Sequence, residues 1–124
     1  MYIMRILIAD QSLRVRQALS VFMKEQPGWE IVASAEDAAG VLLNVAKYNP
    51  DVLLLDWDLP GLDLDELLRA VHRLDGPLLV VALSARPELK PNIIDRGADY
   101  FVSKVDAPYQ LVNTVQACEQ RLAG

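Results

Sequence analysis

Short apolar segments recur along the chain and predict five strands. They cover residues 3–9, 29–35, 52–55, 78–83 and 100–103. The third and fourth are continuous apolar runs, too short for helices and typical of strands buried on both faces. The second alternates loosely between apolar and polar residues, as an edge or near-edge strand does.

Four of the five predicted strands are followed by apolar residues at helical spacing. These stripes are Val15, Ala18, Leu19 and Phe22; Leu42, Val45 and Ala46; Leu64, Leu67, Leu68 and Val71; and Leu111, Val115, Cys118 and Leu122. Ser12 is a candidate cap for the first helix, which should extend to Gln26, and Pro108 should begin the last. The fourth helix should be short, over residues 91–96, because Pro87 and Pro91 both fall where it should start and Gly97 closes it.

The order of these segments predicts the fold class. Five strand–helix repeats favour an α/β domain with one parallel sheet covered by helices on both faces. A turn at residues 75–77 (Asp-Gly-Pro) should precede the fourth strand. We expect residues 1–124 to form a single domain.

Composition narrows the class of protein. Hydrophobic residues make up 52% of the chain and charged residues 23%, which is typical of a globular domain. The net charge of −5 argues against binding to nucleic acid or to an anionic membrane by the domain itself. The single cysteine, Cys118, excludes an internal disulfide and a cysteine-based zinc site. Without a signal peptide or a bilayer-spanning segment, the chain is expected to be cytoplasmic.

Polar residues follow four of the predicted strands. Asp10, Asp56, Ser84 and Lys104 each close an apolar strand, and Asp58 follows two residues after Asp56. The carboxyl ends of parallel strands lie along one edge of a sheet, so these side chains should converge. Carboxylates can hold Mg²⁺, while a lysine and a hydroxyl can bind phosphoryl oxygens. The set therefore predicts phosphoryl transfer to or from a carboxylate.

Four motifs in this order carry a resemblance to a known family. They are IADQ at residues 8–11, LLLDWDLPG at 53–61, ALSARP at 82–87 and GADYFVSK at 97–104. The chain resembles the receiver domain of bacterial two-component response regulators, most closely receivers that precede a helix-turn-helix output domain. The resemblance implies a doubly wound, flavodoxin-like sheet of five parallel strands in the order 2-1-3-4-5.

The resemblance also implies a role for each residue of the site. Asp56 would be the phosphoacceptor that attacks a phosphohistidine on a sensor histidine kinase. Asp10 and Asp56 would bind Mg²⁺ through their side chains, and Asp58 through its backbone carbonyl. Ser84 would supply the hydroxyl, and Lys104 would neutralise the phosphoryl group.

Further family roles concern switching and output. Ser84 and Phe101 would be the switch residues that remodel the surface of the fourth helix, fifth strand and last helix. Asp58 and Arg86 would tune the rate at which water removes the phosphoryl group, and we expect their opposite charges to pair. The implied partners are the kinase, a second copy bound through the remodelled surface, and a C-terminal DNA-binding output domain. A membrane partner and an independent enzymatic activity are not expected.

Three departures from the family pattern stand out. Ala9 occupies a position that is usually acidic, and its lack of a carboxylate should weaken metal binding. Phe101 carries no hydroxyl at the switch position, although Tyr100 precedes it. Lys104 is separated from Pro108 by residues 105–107 instead of being followed directly by proline.

Two other functions are compatible with parts of the pattern. Ala9 favours a receiver fold that acts as a binding module without phosphorylation. The DWD sequence at residues 56–58 also matches the Asp-x-Asp motif of haloacid-dehalogenase-type phosphatases, in which the second Asp is a general acid. That motif usually lies on the first strand of those enzymes, whereas two strand–helix units precede it here.

Overall fold

Five strands alternate with five α-helices in the computed structural model, which describes residues 2–61, 63–73, 78–106 and 108–124. The strands are β1 (Met4–Ala9), β2 (Trp29–Ala35), β3 (Val52–Asp56), β4 (Leu79–Ser84) and β5 (Tyr100–Ser103). The helices are α1 (Leu13–Lys24), α2 (Ala38–Tyr48), α3 (Leu64–His72), α4 (Lys90–Asp95) and α5 (Pro108–Ala123). A 3₁₀ turn at Pro87–Leu89 precedes α4.

All neighbouring strands pair in parallel, in the order β2-β1-β3-β4-β5. Every residue of β3 and β4 is buried, as their continuous apolar runs predict. β2 lies at one edge of the sheet and β5 at the other. The expected doubly wound sheet with strand order 2-1-3-4-5 is therefore confirmed.

Alternate residues of the strands contribute to two separate cores. Leu7, Leu53 and Leu55 pack with buried side chains of α2, α3 and α4. Ile8 and Leu54 point the other way and pack with Met23 of α1 and with Leu111, Val115 and Cys118 of α5. Because successive side chains on a strand point to opposite faces, both faces of the sheet are covered by helices.

Local signals in the sequence define several helix ends. Ser12 Oγ accepts a hydrogen bond from Val15 N at 3.2 Å, which caps α1 as expected. Asp37 caps α2 in the same way through Gly40 N at 2.8 Å. Gly97, with a φ of +116°, follows α4 in a conformation that favours glycine. The turn expected at residues 75–77 lies outside the described part of the chain.

The buried side of α2 differs from the prediction. Val45 is buried as predicted, but Leu42 and Ala46 are exposed, and Ala38 and Val41 are buried in their place. The helix carries two adjacent apolar stripes, and periodicity alone could not decide which of them faces the sheet. On α1, Ala18 is likewise exposed, and Met23 is the buried residue.

The longest helix, α5, has 16 residues. Among the described residues, no helix has both the length and the hydropathy needed to cross a bilayer.

Replacing Leu54 with alanine should reduce the free energy of unfolding by about 2–5 kcal/mol, because this fully buried side chain would leave a cavity between β3 and its neighbours. The matched control is Leu43→Ala on α2, where the side chain is 72% exposed and the change should stay within about 0.5 kcal/mol. Urea unfolding followed by circular dichroism at low protein concentration measures both. Equal losses in the two variants would contradict the assigned core.

Candidate functional site

The carboxyl ends of four strands bring the predicted polar residues to one edge of the sheet. Asp10 follows β1 directly, Asp56 ends β3, Ser84 ends β4 and Lys104 follows β5. After β1 the chain moves to β2 on one side of it, and β3, β4 and β5 then follow on the other side, so the point between β1 and β3 is the topological switch point of the sheet. Open α/β sheets place their ligands at this point.

Lys104 joins the two central carboxylates. Its Nζ lies 2.9 Å from Asp10 Oδ2 and 3.0 Å from Asp56 Oδ1. Both aspartates are 1% exposed. A buried carboxylate is costly unless it is paired and hydrogen-bonded, so this single ammonium partly compensates two buried charges. The trio of Asp10, Asp56 and Lys104 carries a formal charge of −1.

Backbone amides hold both carboxylates in place. Ser12 N donates to Asp10 Oδ1 at 2.9 Å, and Asp58 N donates to Asp56 Oδ1 at 3.0 Å. Arg16 adds a contact that the sequence did not indicate. Its Nη1 donates a hydrogen bond to the backbone carbonyl of Asp10 at 2.7 Å. Arg16 is one of two arginines on α1, and no motif distinguished it from Arg14. It fixes the backbone of Asp10 at the sheet edge.

The surroundings of Lys104 shift its pKa. Burial acts to lower the pKa of this lysine, but hydrogen bonds and charges from Asp10 and Asp56 outweigh that effect and raise it. The ammonium form is therefore the stable form of Lys104 throughout the neutral range.

Ser84 lies beside this group without joining it. Its side chain is fully buried, and its Oγ accepts a hydrogen bond from Arg86 N at 3.1 Å. Lys104 N donates to the backbone carbonyl of Ser84 at 2.8 Å, which holds the ends of β4 and β5 together. Within the described residues, no hydrogen bond links Ser84 Oγ to Asp56 or Lys104.

The expected pairing of Asp58 with Arg86 is present. Arg86 Nη2 lies 3.0 Å from Asp58 Oδ1, and the two side chains are 55% and 51% exposed. This ion pair bridges the loops after β3 and β4, which flank Asp56. Exposed pairs of this kind contribute at most about 1 kcal/mol to stability. The pair matters here for its position at the mouth of the site.

Apolar side chains form one wall of the site. Ala9, Ala35 and Trp57 are buried in the core on the α2–α4 side of the sheet. Ala9 is fully buried and pairs in register with Ala35. Phe101 is partly buried and packs against the same core. The usual acidic position is thus occupied by a small residue in apolar surroundings.

The donor set limits how a metal could bind. Across residues 2–61, 63–73, 78–106 and 108–124, no group of three or more His, Cys, Asp or Glu side chains is arranged to hold a metal ion. Asp10 and Asp56 supply two carboxylates. Magnesium commonly binds proteins through one or two carboxylates and keeps several waters, so the residues present fit that ion better than a metal requiring a full protein cage.

Comparison with known proteins identifies the family. Residues 6–116 match the model of the response regulator receiver domain. The chain belongs to the response regulator receiver domain family. The resemblance inferred from the four sequence motifs is therefore confirmed.

Relatives of this receiver domain include proteins with different outputs. It is 38% identical over 100 residues to a protein-glutamate methylesterase/protein-glutamine glutaminase of Syntrophomonas wolfei, covering 81% of this chain and 29% of that protein. It is 30% identical over 120 residues to the phosphate regulon transcriptional regulatory protein PhoB of Pseudomonas aeruginosa, covering 94% of this chain and 52% of PhoB. The receiver domain thus spans about half, or less, of these curated relatives.

Solved structures agree with the fold. The signal receiver domain of NarL from Mycobacterium tuberculosis superposes with a TM-score of 0.86 at 25% identity, covering 97% of this chain and 98% of that one. The relatives and the superposition support the receiver fold over that of a haloacid-dehalogenase-type phosphatase.

The pKa of Lys104 should fall when Asp10 is replaced by asparagine, because one of the two anions that raise the pKa is lost while burial continues to lower it. Titration of ¹³C-labelled lysine side chains by NMR measures this pKa, with the exposed Lys90 as an internal control. An unchanged pKa for Lys104 in the variant would contradict the coupling.

The sign of the accompanying effect on stability follows from linkage. A lysine whose pKa is raised on folding contributes stability that is fully present below its unfolded pKa, near 10.5, and is lost as the pH rises through the folded value. Wild type should lose this contribution above that pH to a greater extent than Asp10→Asn does.

Proposed function

We propose that this receiver domain is a signalling switch in which Asp56 accepts a phosphoryl group from a sensor histidine kinase. The observation that carries the proposal is the trio at the sheet edge, in which Lys104 contacts two buried carboxylates within 3.0 Å. This combination of an anionic nucleophile with a fixed cation suits transfer of a charged phosphoryl group.

The contacts of Asp56 favour one of its oxygens as the nucleophile. Among the described residues, both polar contacts of this carboxylate go to Oδ1. Oδ2 is then the oxygen that attacks phosphorus, forming an O–P bond as the N–P bond of the phosphohistidine breaks. The released imidazole nitrogen is protonated from solvent. The ammonium group of Lys104 is close enough to neutralise negative charge first on the carboxylate and then on the phosphoryl oxygens.

Magnesium is the cofactor that fits this chemistry. Asp10 and Asp56 would hold it through their carboxylates, and Asp58 through its backbone carbonyl. The ion would offset the charge of the carboxylates and the incoming phosphoryl group when bound. Because Ala9 supplies no third carboxylate, we expect Mg²⁺ to bind more weakly than in receivers with two acids at this point.

Switching would begin at Ser84. Its Oγ accepts a hydrogen bond from Arg86 N, so its O–H can donate to a phosphoryl oxygen on Asp56, which would draw the hydroxyl towards the acceptor. Movement of Ser84 would be passed to Phe101 through the pairing of β4 with β5, in which Ser84 lies beside Ser103 and Ala82 beside Phe101. The surface formed by α4, β5 and α5 would change as a result.

The partners of this switch follow from the family. We infer that the domain meets its kinase in the cytoplasm and that its phosphorylated form self-associates through α4, β5 and α5. PhoB, a transcriptional regulatory protein, favours a DNA-binding output domain in a longer chain. The methylesterase relative makes an enzymatic output the second candidate, with the receiver itself acting as a regulator.

Asp56→Asn should abolish labelling by acetyl phosphate and Mg²⁺, because the amide cannot act as the nucleophile. Asp58→Asn is the matched control, since it changes an exposed carboxylate two residues away and should keep its labelling. Intact-mass spectrometry detects the added phosphoryl group. Labelling that survives in Asp56→Asn would disprove the assignment of the acceptor.

The fluorescence of Trp57 distinguishes a phosphorylated switch from a receiver that acts without phosphorylation. Trp57 is buried against the site, so its fluorescence should change with Mg²⁺ and again with beryllofluoride in a Trp29→Phe background, where it is the sole tryptophan. A Trp57 signal that responds to neither, together with unlabelled wild type, would favour the non-phosphorylated binding module.

Arg86→Ala should shorten the lifetime of the phosphorylated domain, because the ion pair at the mouth of the site would no longer restrict access of water to the acyl phosphate. We expect a change of a few-fold, measured as the loss of ³²P from Asp56 with time. Arg96→Ala is the control, since Arg96 pairs with Asp65 at 3.8 Å outside the site. Equal half-lives in wild type and Arg86→Ala would exclude the shielding role.

A further inference from the structure

Helix α2 presents a second apolar stripe to solvent. Ala39, Leu42, Leu43 and Ala46 are all exposed and recur at i, i+3, i+4 and i+7. Leu43 is 72% exposed and Leu42 39%. The buried stripe of the same helix is separate, so this surface is not required for the core. Large apolar side chains scattered singly on a surface are ordinary, whereas contiguous exposed apolar side chains are typical of interaction surfaces.

The residue types and spacing of the stripe are the same from either end of the helix. Ala39 lies three residues before Leu42, and Ala46 lies three residues after Leu43. If two copies of α2 pack antiparallel about a twofold axis between Leu42 and Leu43, each leucine meets a leucine and each Ala39 meets the partner's Ala46. The small alanines at both ends let the helices approach closely. Such self-complementarity is what a twofold contact between identical surfaces requires.

The charges at the ends of α2 favour the same arrangement. Glu36 and Asp37 precede the helix, and Lys47 lies in its last turn. Antiparallel packing places the acidic end of one copy beside the basic end of the other, and it also opposes the two helix dipoles. Parallel packing would bring like charges together.

We propose that α2 is a homodimerisation surface, in which a second copy of this chain covers Ala39, Leu42, Leu43 and Ala46. The contact is distinct from the expected association through α4, β5 and α5, and it does not depend on phosphorylation. A helix of 11 residues is only about 16 Å long, so the buried area falls below that of a standard interface and the dimer is weak.

Sedimentation velocity of the unphosphorylated chain, from about 10 µM to about 1 mM, tests the proposal over the range of weak association. Wild type should shift from monomer to dimer, and Leu43→Glu should raise the dissociation constant at least tenfold. Leu13→Glu is the matched control, because Leu13 is 59% exposed at the start of α1 and its replacement should leave the dimer intact. A wild-type monomer at all concentrations, or a dimer unaffected by Leu43→Glu, would overturn the proposal.

Disulfide cross-linking tests the direction of packing. An equal mixture of the single variants Ala39→Cys and Ala46→Cys should form a mixed disulfide dimer on oxidation, whereas neither variant alone should. In the antiparallel pair of either single variant, the new cysteine of one protomer lies about 10 Å along the helix axis from the same cysteine of the partner. That separation is beyond the reach of a disulfide. The native Cys118 is fully buried and does not compete. Cross-linking of each variant with itself, in preference to the mixture, would exclude the antiparallel arrangement.

Discussion

The contact of Lys104 with Asp10 and Asp56 is the interaction on which the site depends. Removing a carboxylate from water costs of the order of several kcal/mol, and both aspartates are almost fully buried. One ammonium and two backbone amides offset part of this cost and leave one negative charge in excess. That excess charge favours a further cation beside the two carboxylates, as the proposed binding of Mg²⁺ requires.

The sheet makes this arrangement possible. Asp10 and Asp56 follow neighbouring strands, whereas Lys104 comes from the edge strand β5 and reaches across the end of β4. The hydrogen bond from Lys104 N to the carbonyl of Ser84 fixes the loop that directs the lysine inward. Residues that are far apart in sequence thus meet because parallel strands share a carboxyl edge, and a rigid apolar core keeps that edge in register.

Residues outside the trio determine the charge and polarity of the entrance and the inner wall of the site. The pair of Asp58 and Arg86 spans two loops at the entrance, while Ala9 makes the inner wall more apolar than an acidic residue would. These positions lie outside the trio, and in the proposed mechanism they affect the approach of water and metal. In α2, likewise, the residues that pack on the sheet are separate from those that face outward. A common fold can therefore carry a distinct site and a distinct outer surface.

By itself, the sequence determined the number and order of the strands, the strand-end residues Asp10, Asp56, Ser84 and Lys104, and the family, because apolar periodicity and motif spacing are local properties. It also indicated the pairing of Asp58 with Arg86 from position and charge sign. Only the tertiary structure decided which stripe of α2 is buried, because two stripes satisfy the helical period and only contact with the sheet distinguishes them. The same holds for Arg16, whose hydrogen bond to Asp10 depends on how α1 lies against the sheet edge, and for Lys104, whose pKa is set by neighbours distant in the chain.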